Sequence, residues 1–326
     1  YNDAPALPNY TGTNLYYCCT TPLPAAGTGN TDADPQLAST SHLSANSPCR
    51  GAGSAAYATG MDIDGEPWAK PPCIGCDQLY AGAATGELSV AIEAAYTNVT
   101  AGWNLELAAS IAGRLTVSKW DFGDGMVLSN RPFATHSWAT PGDYAVRLWA
   151  YNDSHAAGIV ATQLVHVISQ PTHYVALDSP APVAPYGSWA TAATNIQDAV
   201  DAATVPGALV LISNGVYRAG ARVVYGALSN RVVATMPLVL QGFNGPAATV
   251  IQGNWAPSTT NGDAAVRCVY LSGGAVLQGL TLSGGATRAA GDAFQDQSGG
   301  GVCCASTSAT ISNCVLAGNA AYASGG

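Results

Sequence analysis

Three carboxylates alternate with other residues in Asp62-Ile63-Asp64-Gly65-Glu66. Oxygens at i, i+2 and i+4 can hold a hard cation such as Ca2+, so Asp62, Asp64 and Glu66 are the candidate metal ligands. The segment lacks the twelve-residue frame of an EF-hand and its closing Glu, and a polar turn accounts for the same residues. Asp32 and Asp34, ahead of Pro35, are open to the same two readings. Cysteine is the second reactive type. The nine are Cys18, Cys19, Cys49, Cys73, Cys76, Cys268, Cys303, Cys304 and Cys314. Cys73-Ile74-Gly75-Cys76 is a single C-x-x-C with no second at zinc-finger spacing. Disulfides or buried thiols inside a β-stack are expected instead, and an odd count leaves at least one thiol unpaired or paired outside the chain. The five histidines, His42, His136, His155, His166 and His173, have no metal spacing. No Ser or Cys stands in a nucleophile-elbow context.

The elements that would position these groups are short and extended. Charged residues are 10% of the 326, against 48% hydrophobic, with 37 Gly and 19 Pro. That composition suits stacked β structure with many turns, not a helical bundle with charged outer faces. The net charge is −9, and the 11 Lys and Arg form no basic run, so nucleic-acid binding is excluded. No apolar run reaches the roughly 18 residues of a membrane span. The chain opens at Tyr1-Asn2-Asp3 without Met or a visible signal peptide, and reads as a processed or excised piece.

From Leu88 to Val167, short runs alternate apolar and polar residues, as in Tyr144-Ala145-Val146-Arg147-Leu148-Trp149, and no cysteine occurs. This predicts a sandwich of antiparallel strands. Within it stand Trp120-Asp121-Phe122-Gly123-Asp124-Gly125 and, later, Pro141-Gly142-Asp143-Tyr144-Ala145-Val146. Together they resemble the PKD domain, an immunoglobulin-like module, over about eighty residues. Trp120 and Phe122 are expected in the core. Asp121 and Asp124 are expected to bond nearby backbone N–H groups, and Gly123 and Gly125 to allow positive φ. Cation binding by the two aspartates is the alternative use.

After Gln170-Pro171 the pattern changes. A helix is expected from Thr194 to Ala203, with Thr194 and Gln197 as a capping box and Ile196, Ala199, Val200 and Ala203 as its apolar face. Short β runs follow. Val239-Leu240-Gln241-Gly242, Val250-Ile251-Gln252-Gly253 and Leu277-Gln278-Gly279 share a pattern. Leu280-Thr281-Leu282-Ser283-Gly284-Gly285 parallels Cys314-Val315-Leu316-Ala317-Gly318-Asn319. Irregular repeats of short strands between Gly and Asn turns predict a parallel β-helix. The string from Tyr186-Gly187-Ser188-Trp189 to Asp198-Ala199-Val200, with Asn214-Gly215-Val216-Tyr217, resembles the opening of bacterial right-handed parallel β-helix proteins of the pectin-lyase-like superfamily. The strings around Asp32-Ala33-Asp34-Pro35, Ser47-Pro48-Cys49 and Asp62-Ile63-Asp64-Gly65-Glu66 resemble the closing part of the same proteins.

The expected fold is therefore mainly β: an Ig-like β-sandwich (PKD) plus a right-handed parallel β-helix, with one short capping helix. Residues 1–84 are read as the end of a β-helix region, 85–170 as the PKD domain, and 171–326 as the cap and first rungs of a second β-helix, which stops in mid-repeat. The superfamily resemblance implies that a carbohydrate-binding or polysaccharide-degrading role must be weighed. Such chemistry needs convergent carboxylates and a basic residue. After Asp201 the only acids are Asp263, Asp292 and Asp296, with Arg267 and Arg288 as candidate bases, and the Gly291–Asp296 insertion reads as a solvated loop. Trp103, Tyr225 and Trp255 are candidates for stacking on sugars. With so little convergent chemistry, the favoured expectation is a secreted or cell-surface structural or adhesive protein without a catalytic site. Its partners are further repeats of a longer chain or copies of itself, stacked head to tail into a filament, with polysaccharide as the other candidate partner.

Overall fold

The computed structural model describes residues 9–10 and 14–325; the Tyr1-Asn2-Asp3 opening and Gly326 lie outside them. Two compact units result: Tyr1–Thr97 with Asn104–Val167, and Asn98–Trp103 with Ile168–Gly326.

In the first unit, β1 (Leu15–Tyr16) and β2 (Gly27–Thr28) pair in parallel, and a bridge from Cys19 to Thr31 extends the step. The chain then runs through turns to Ala84. This segment is tied to the strands that follow it. Ala38 packs among Leu88, Leu115 and Ala150, Asp34 pairs with Arg131, and the Ala45 N–H donates to the Thr116 carbonyl. Next come β3 (Ser89–Ala94), β4 (Asn98–Thr100, a part of the second unit), β5 (Leu105–Ala112), β6 (Val117–Asp121), β7 (Val127–Ser129), β8 (Phe133–His136), β9 (Gly142–Tyr151) and β10 (Ile159–Ile168). Within the unit they form two antiparallel sheets, β3-β5-β8 and β10-β9-β6-β7. Period-two alternation decides which side chains face inward. On β9, Val146, Leu148 and Ala150 are buried while Arg147 is exposed. Leu105, Leu107, Trp120, Val165 and Val167 complete the core between the sheets. The sandwich expectation is met.

In the second unit, β11 (Thr172–Val175) leads through the helix α1 (Ile196–Ala202) to β12 (Leu209–Ile212), β13 (Gly215–Tyr217), β14 (Arg222–Val223), β15 (Ser229–Ala234), β16 (Val239–Gly242), β17 (Thr249–Gln252), β18 (Val266–Leu271), β19 (Val276–Gln278), β20 (Thr281–Ser283), β21 (Val302–Cys304), β22 (Thr310–Ser312) and β23 (Val315–Ala317). They stack as three sheets, β11-β12-β16-β19-β22, β13-β17-β20-β23 and β14-β15-β18-β21, all parallel except the β14–β15 pair. This is a β-solenoid of about four turns. Its interior is built from ladders. Val210, Leu240, Leu277 and Ile311 stand in register on one face, and Tyr217, Ile251, Leu282 and Leu316 on the next. The parallel between residues 280–285 and 314–319 is a true register, with Thr281 over Val315 and Leu282 over Leu316. The three Gln-Gly strings differ. Those of β16 and β19 stack, whereas β17 lies in another sheet, so that likeness is between faces and not between turns.

Rungs approach closely where side chains are absent. A Cβ on Gly253 would stand 2.4 Å from the Gly285 Cα, one on Gly285 2.1 Å from the Gly300 carbonyl oxygen, and one on Gly300 2.0 Å from the Ala320 carbonyl oxygen. All three contacts lie below any real Cβ separation, so this corner of the stack requires glycine.

The helix departs from expectation at its start. Its N-cap is Asn195, whose Oδ1 accepts from the Gln197 N–H at 3.0 Å; Thr194 is not the cap. The Gln197 side chain does not reach back to the cap. Its Oε1 accepts from the Val233 N–H at 2.8 Å, and its Nε2 donates to the Val233 carbonyl at 3.1 Å. Gln197 thus caps the outer edge of β15 as a substitute strand, the kind of cover an exposed edge requires. Ile196, Ala199, Val200 and Ala203 all join the core, as the helical spacing predicts. No described helix is long and apolar enough to cross a membrane.

Candidate functional site

The acidic cluster in the first unit differs in membership from the sequence triplet. Carboxylate oxygens of Asp62, Asp64 and Asp77 lie within 4.8 Å of one another. Glu66 turns away to an ion pair with the Arg114 guanidinium, which also bonds Asp64 through Nε at 2.9 Å. His42 Nε2 stands 3.5 Å from Asp64. Asp62 is spent on the backbone. Its Oδ1 accepts from the N–H groups of Asp64 (2.9 Å) and Glu66 (2.7 Å), and its Oδ2 from Gln78 N–H (2.9 Å). Asp77 accepts from the Leu43 N–H at 2.8 Å. Burial pushes the Asp77 carboxyl up, against the pull of the Leu43 bond and of His42. Three oxygen donors suit a hard cation such as Ca2+, but Arg114 already supplies positive charge there. Asp77, Arg114 and His42 are far from the triplet in sequence, and only the turn-rich segment brings them together.

The Trp120–Gly125 turn is built as its residue types demand. Trp120 and Phe122 are buried. Asp121 Oδ1 accepts from Gly123 N–H at 2.9 Å and Asp124 Oδ1 from Met126 N–H at 3.0 Å, two Asx turns that need the positive φ of Gly123 (+80°) and Gly125 (+93°). The free Asp124 oxygen meets His136 Nε2 at 2.8 Å, and the His136 ring stacks on Phe122 at 4.1 Å. Trp120 donates to the Arg131 carbonyl and Trp138 to that of Phe122. These aspartates organise the turn.

In the solenoid two carboxylates meet at one candidate base, for Arg288 stands 4.0 Å from Asp296 as well as beside Asp263. Asp263 pairs with Arg288 at 2.7 Å. Residues 291–294 are exposed, as the solvated-loop reading expects, but Asp296 at the end of the insertion is buried. Its Oδ1 accepts from Ala227 (3.2 Å) and Leu228 (3.3 Å) and its Oδ2 from Asp292 (3.1 Å), so the insertion is stapled to its neighbour by backbone bonds. Arg267 is buried among neutral acceptors, the carbonyls of Gln295, Ser298 and Gly299 and the side chain of Asn230.

The cysteines read as disulfide candidates (Cys18, Cys19, Cys49, Cys73, Cys76, Cys268, Cys303, Cys304 and Cys314) are all free thiols. Cys303 and Cys304 point to opposite faces of their strand: Cys303 is buried beside Val233 and Tyr270, while Cys304 is exposed. Burial in the solenoid core pushes the Cys268 thiol up to about 11. Among the aromatics, Tyr225 and Trp255 are exposed and Trp103 half-buried. A second group lacked a signal in the sequence: Tyr174, Trp189 and Phe243, joined edge to face with centroids 4.6 and 5.4 Å apart.

The family model of the PKD domain matches residues 88–165. Residues 88–165 are a PKD domain. The Asx-turn pair, the buried Trp120 and, apart from the last residues of β10, the two antiparallel sheets lie inside its bounds. Among solved structures, a carbohydrate-binding module of the β-sandwich superfamily is 20% identical over 27% of this chain and 37% of that one, with a TM-score of 0.25. The solution structure of the PKD domain from the human VPS10 domain-containing receptor SorCS2 is 23% identical over 28% of this chain and 82% of that one, with a TM-score of 0.23. No curated protein matches the chain.

Proposed function

We propose that this protein is an extracellular structural or adhesive element whose β-solenoid is extended, rung on rung, by a second copy of the chain or by further repeats of a longer one. One observation carries the reading. In the ladders, Leu240, Leu277, Ile251 and Leu282 are 0% exposed, because each is covered by the rung beyond. Ile311 and Leu316, in register above Leu277 and Leu282, are 37% and 47% exposed. The apolar columns of β22 and β23 are complementary to one more turn of the same kind, and their outer edges carry no strand among the described residues. The parallel β1–β2 step supports reading residues 1–84 as the closing part of such a helix. PKD domains are typically extracellular, which fits a fibre or surface assembly. A head-to-tail contact that does not close grows a filament.

Electron microscopy and light scattering over a range of concentrations test it. The expected result is elongated particles that lengthen with concentration and revert to single chains in Leu316→Asp. Monodisperse single chains at every concentration would sink the self-assembly arm.

A second reading, polysaccharide binding, is favoured by the Tyr174–Trp189–Phe243 group. Its partly exposed rings offer apolar faces to the C–H side of a pyranose. Tryptophan fluorescence against a panel of soluble polysaccharides, with Trp189→Ala as control, checks it. An identical response from the variant removes these rings from consideration.

A further inference from the structure

We propose that a hollow of about 160 Å³ in the first unit holds one pyranose ring of a neutral polysaccharide. Tyr16, Tyr17, Ser54, Tyr57 and Trp68 line it. The hollow shares a ligand class with the Tyr174–Trp189–Phe243 group and none of its residues, which belong to the second unit.

Adjacent tyrosines do not ordinarily share a hollow, because strand neighbours face opposite sides. Tyr16 ends β1, and Tyr17 leaves it at φ +52°, a left-handed conformation that a bulky residue rarely adopts. The turn breaks the alternation, and both tyrosines reach the hollow. Backbone strain of this kind is kept where the surroundings hold it, often at a binding site. Here the Tyr17 ring is held from behind. A Cβ on Gly29 would stand 2.5 Å from its Cδ1 and 2.6 Å from its Cε1, so only glycine lets the ring lie on that backbone. Tyr17 also packs against the buried cluster of Leu43, Cys49, Cys73 and Ile74. The Tyr57 ring is its neighbour, with centroids 6.2 Å apart and planes 54° from parallel. Gly53 makes a second close approach. A Cβ there would stand 2.5 Å from the Cys73 carbonyl oxygen, and the Gly53 N–H donates to the Pro72 carbonyl at 2.8 Å. The walls are thus fixed while Tyr16 stays 47% and Tyr57 65% exposed.

Three features select the occupant. Aromatic rings offer apolar faces to the C–H side of a sugar. Two donors have no acceptor among the described residues. Trp68 Nε1 is enclosed and unpaired, and Ser54 Oγ accepts from the Ala56 N–H at 3.3 Å while its own proton goes to no protein group. The hydroxyl oxygens around a pyranose are acceptors for both. No charged side chain lines the hollow, which favours a neutral sugar over a uronate. The volume lies below the roughly 300–1,000 Å³ of pockets that enclose a whole drug-sized ligand, so one ring enters and the rest of the chain runs on in solvent.

The test uses the full chain, isotope-labelled so that each tryptophan shows its own indole N–H resonance in NMR spectra; Trp68→Phe assigns that of Trp68. Cellohexaose and mannohexaose are titrated in, with oligogalacturonate as the charged counterpart and decaproline as the peptide one. A neutral hexaose should shift the Trp68 resonance, and the other two probes should not. Tyr57→Ala truncates an exposed side chain, so the fold should persist while the affinity falls about three- to tenfold. A Trp68 resonance unmoved by either hexaose overturns the proposal. So does an unchanged affinity in Tyr57→Ala, or a response to oligogalacturonate or decaproline as strong as that to the hexaoses. Trp189 has its own resonance. A shift there with Trp68 still overturns this hollow and leaves the Tyr174–Trp189–Phe243 reading standing.

Discussion

The PKD domain and the solenoid bury apolar columns by opposite means. The PKD sandwich closes on itself, because inward residues of one sheet, such as Leu105 and Leu107, are covered by Trp120, Val146 and Leu148 of the other. The solenoid covers each residue with the same position of the following rung, so its core has no natural last member. A sandwich residue therefore takes its cover from the facing sheet and not from a next repeat. A ladder residue is worth more in the middle than at the open end.

Trp120→Ala breaks the closed core at its centre. It removes a fully buried ring and its bond to the Arg131 carbonyl, and should cost about 3–5 kcal/mol, read as a lower denaturation midpoint of the first unit. A loss under about 1 kcal/mol would mean that the sandwich does not depend on this ring.

The ladder rule is tested by paired truncations. Leu277→Ala empties a site with a rung on either side and should cost about 2–5 kcal/mol. Ile311→Ala lies directly above it, partly exposed, and should cost less than about 1.5 kcal/mol in single chains. If assembly adds a rung, the Ile311→Ala penalty should grow with concentration while that of Leu277→Ala stays constant.

How much of this could be read in advance follows the same division. The PKD turn was readable to the atom, since the roles of Trp120, Asp121, Phe122, Gly123, Asp124 and Gly125 are local and each follows from its residue type. The stacking of 280–285 on 314–319 was readable because a ladder repeats its chemistry. The N-cap was misplaced by one residue, because Thr194 and Asn195 both have capping side chains and only geometry separates them. The acidic cluster was half readable. Asp62 and Asp64 are neighbours in sequence, but Asp77, His42 and Arg114 arrive through an irregular path with no period to betray it.

Gln197 covers an edge of β15 where a preceding rung would pair. Gln197→Ala leaves the Val233 N–H and carbonyl without partners at the first edge of β15, and should cost about 1–3 kcal/mol. Gln197→Glu keeps one acceptor and loses the donor, so it should fall between alanine and wild type. If both variants match wild type in hydrogen exchange at Val233, the helix shields that edge by burial alone.

The smallest effect separates the two regions by sign. In the solenoid, burial pushes the Asp296 carboxyl up, but the bonds from Asp292, Ala227 and Leu228 and the charge of Arg288 outweigh it and hold the carboxyl below the usual range. Its contribution is present above about pH 4 and is lost as pH falls through the lowered folded value. In the first unit, burial holds Asp77 above the usual range. There the ionised form is the disfavoured one, so lowering the pH through the raised value relieves a penalty. Asp296→Asn should therefore weaken the solenoid at pH 7 and flatten its acid sensitivity. Asp77→Asn keeps an acceptor for the Leu43 N–H and sheds the buried charge, so it should leave the first unit at pH 7 as stable as before or more so. Unfolding midpoints from pH 7 to pH 3 decide it: equal losses for the two variants at pH 7 would mean that both carboxylates act as ordinary surface charges.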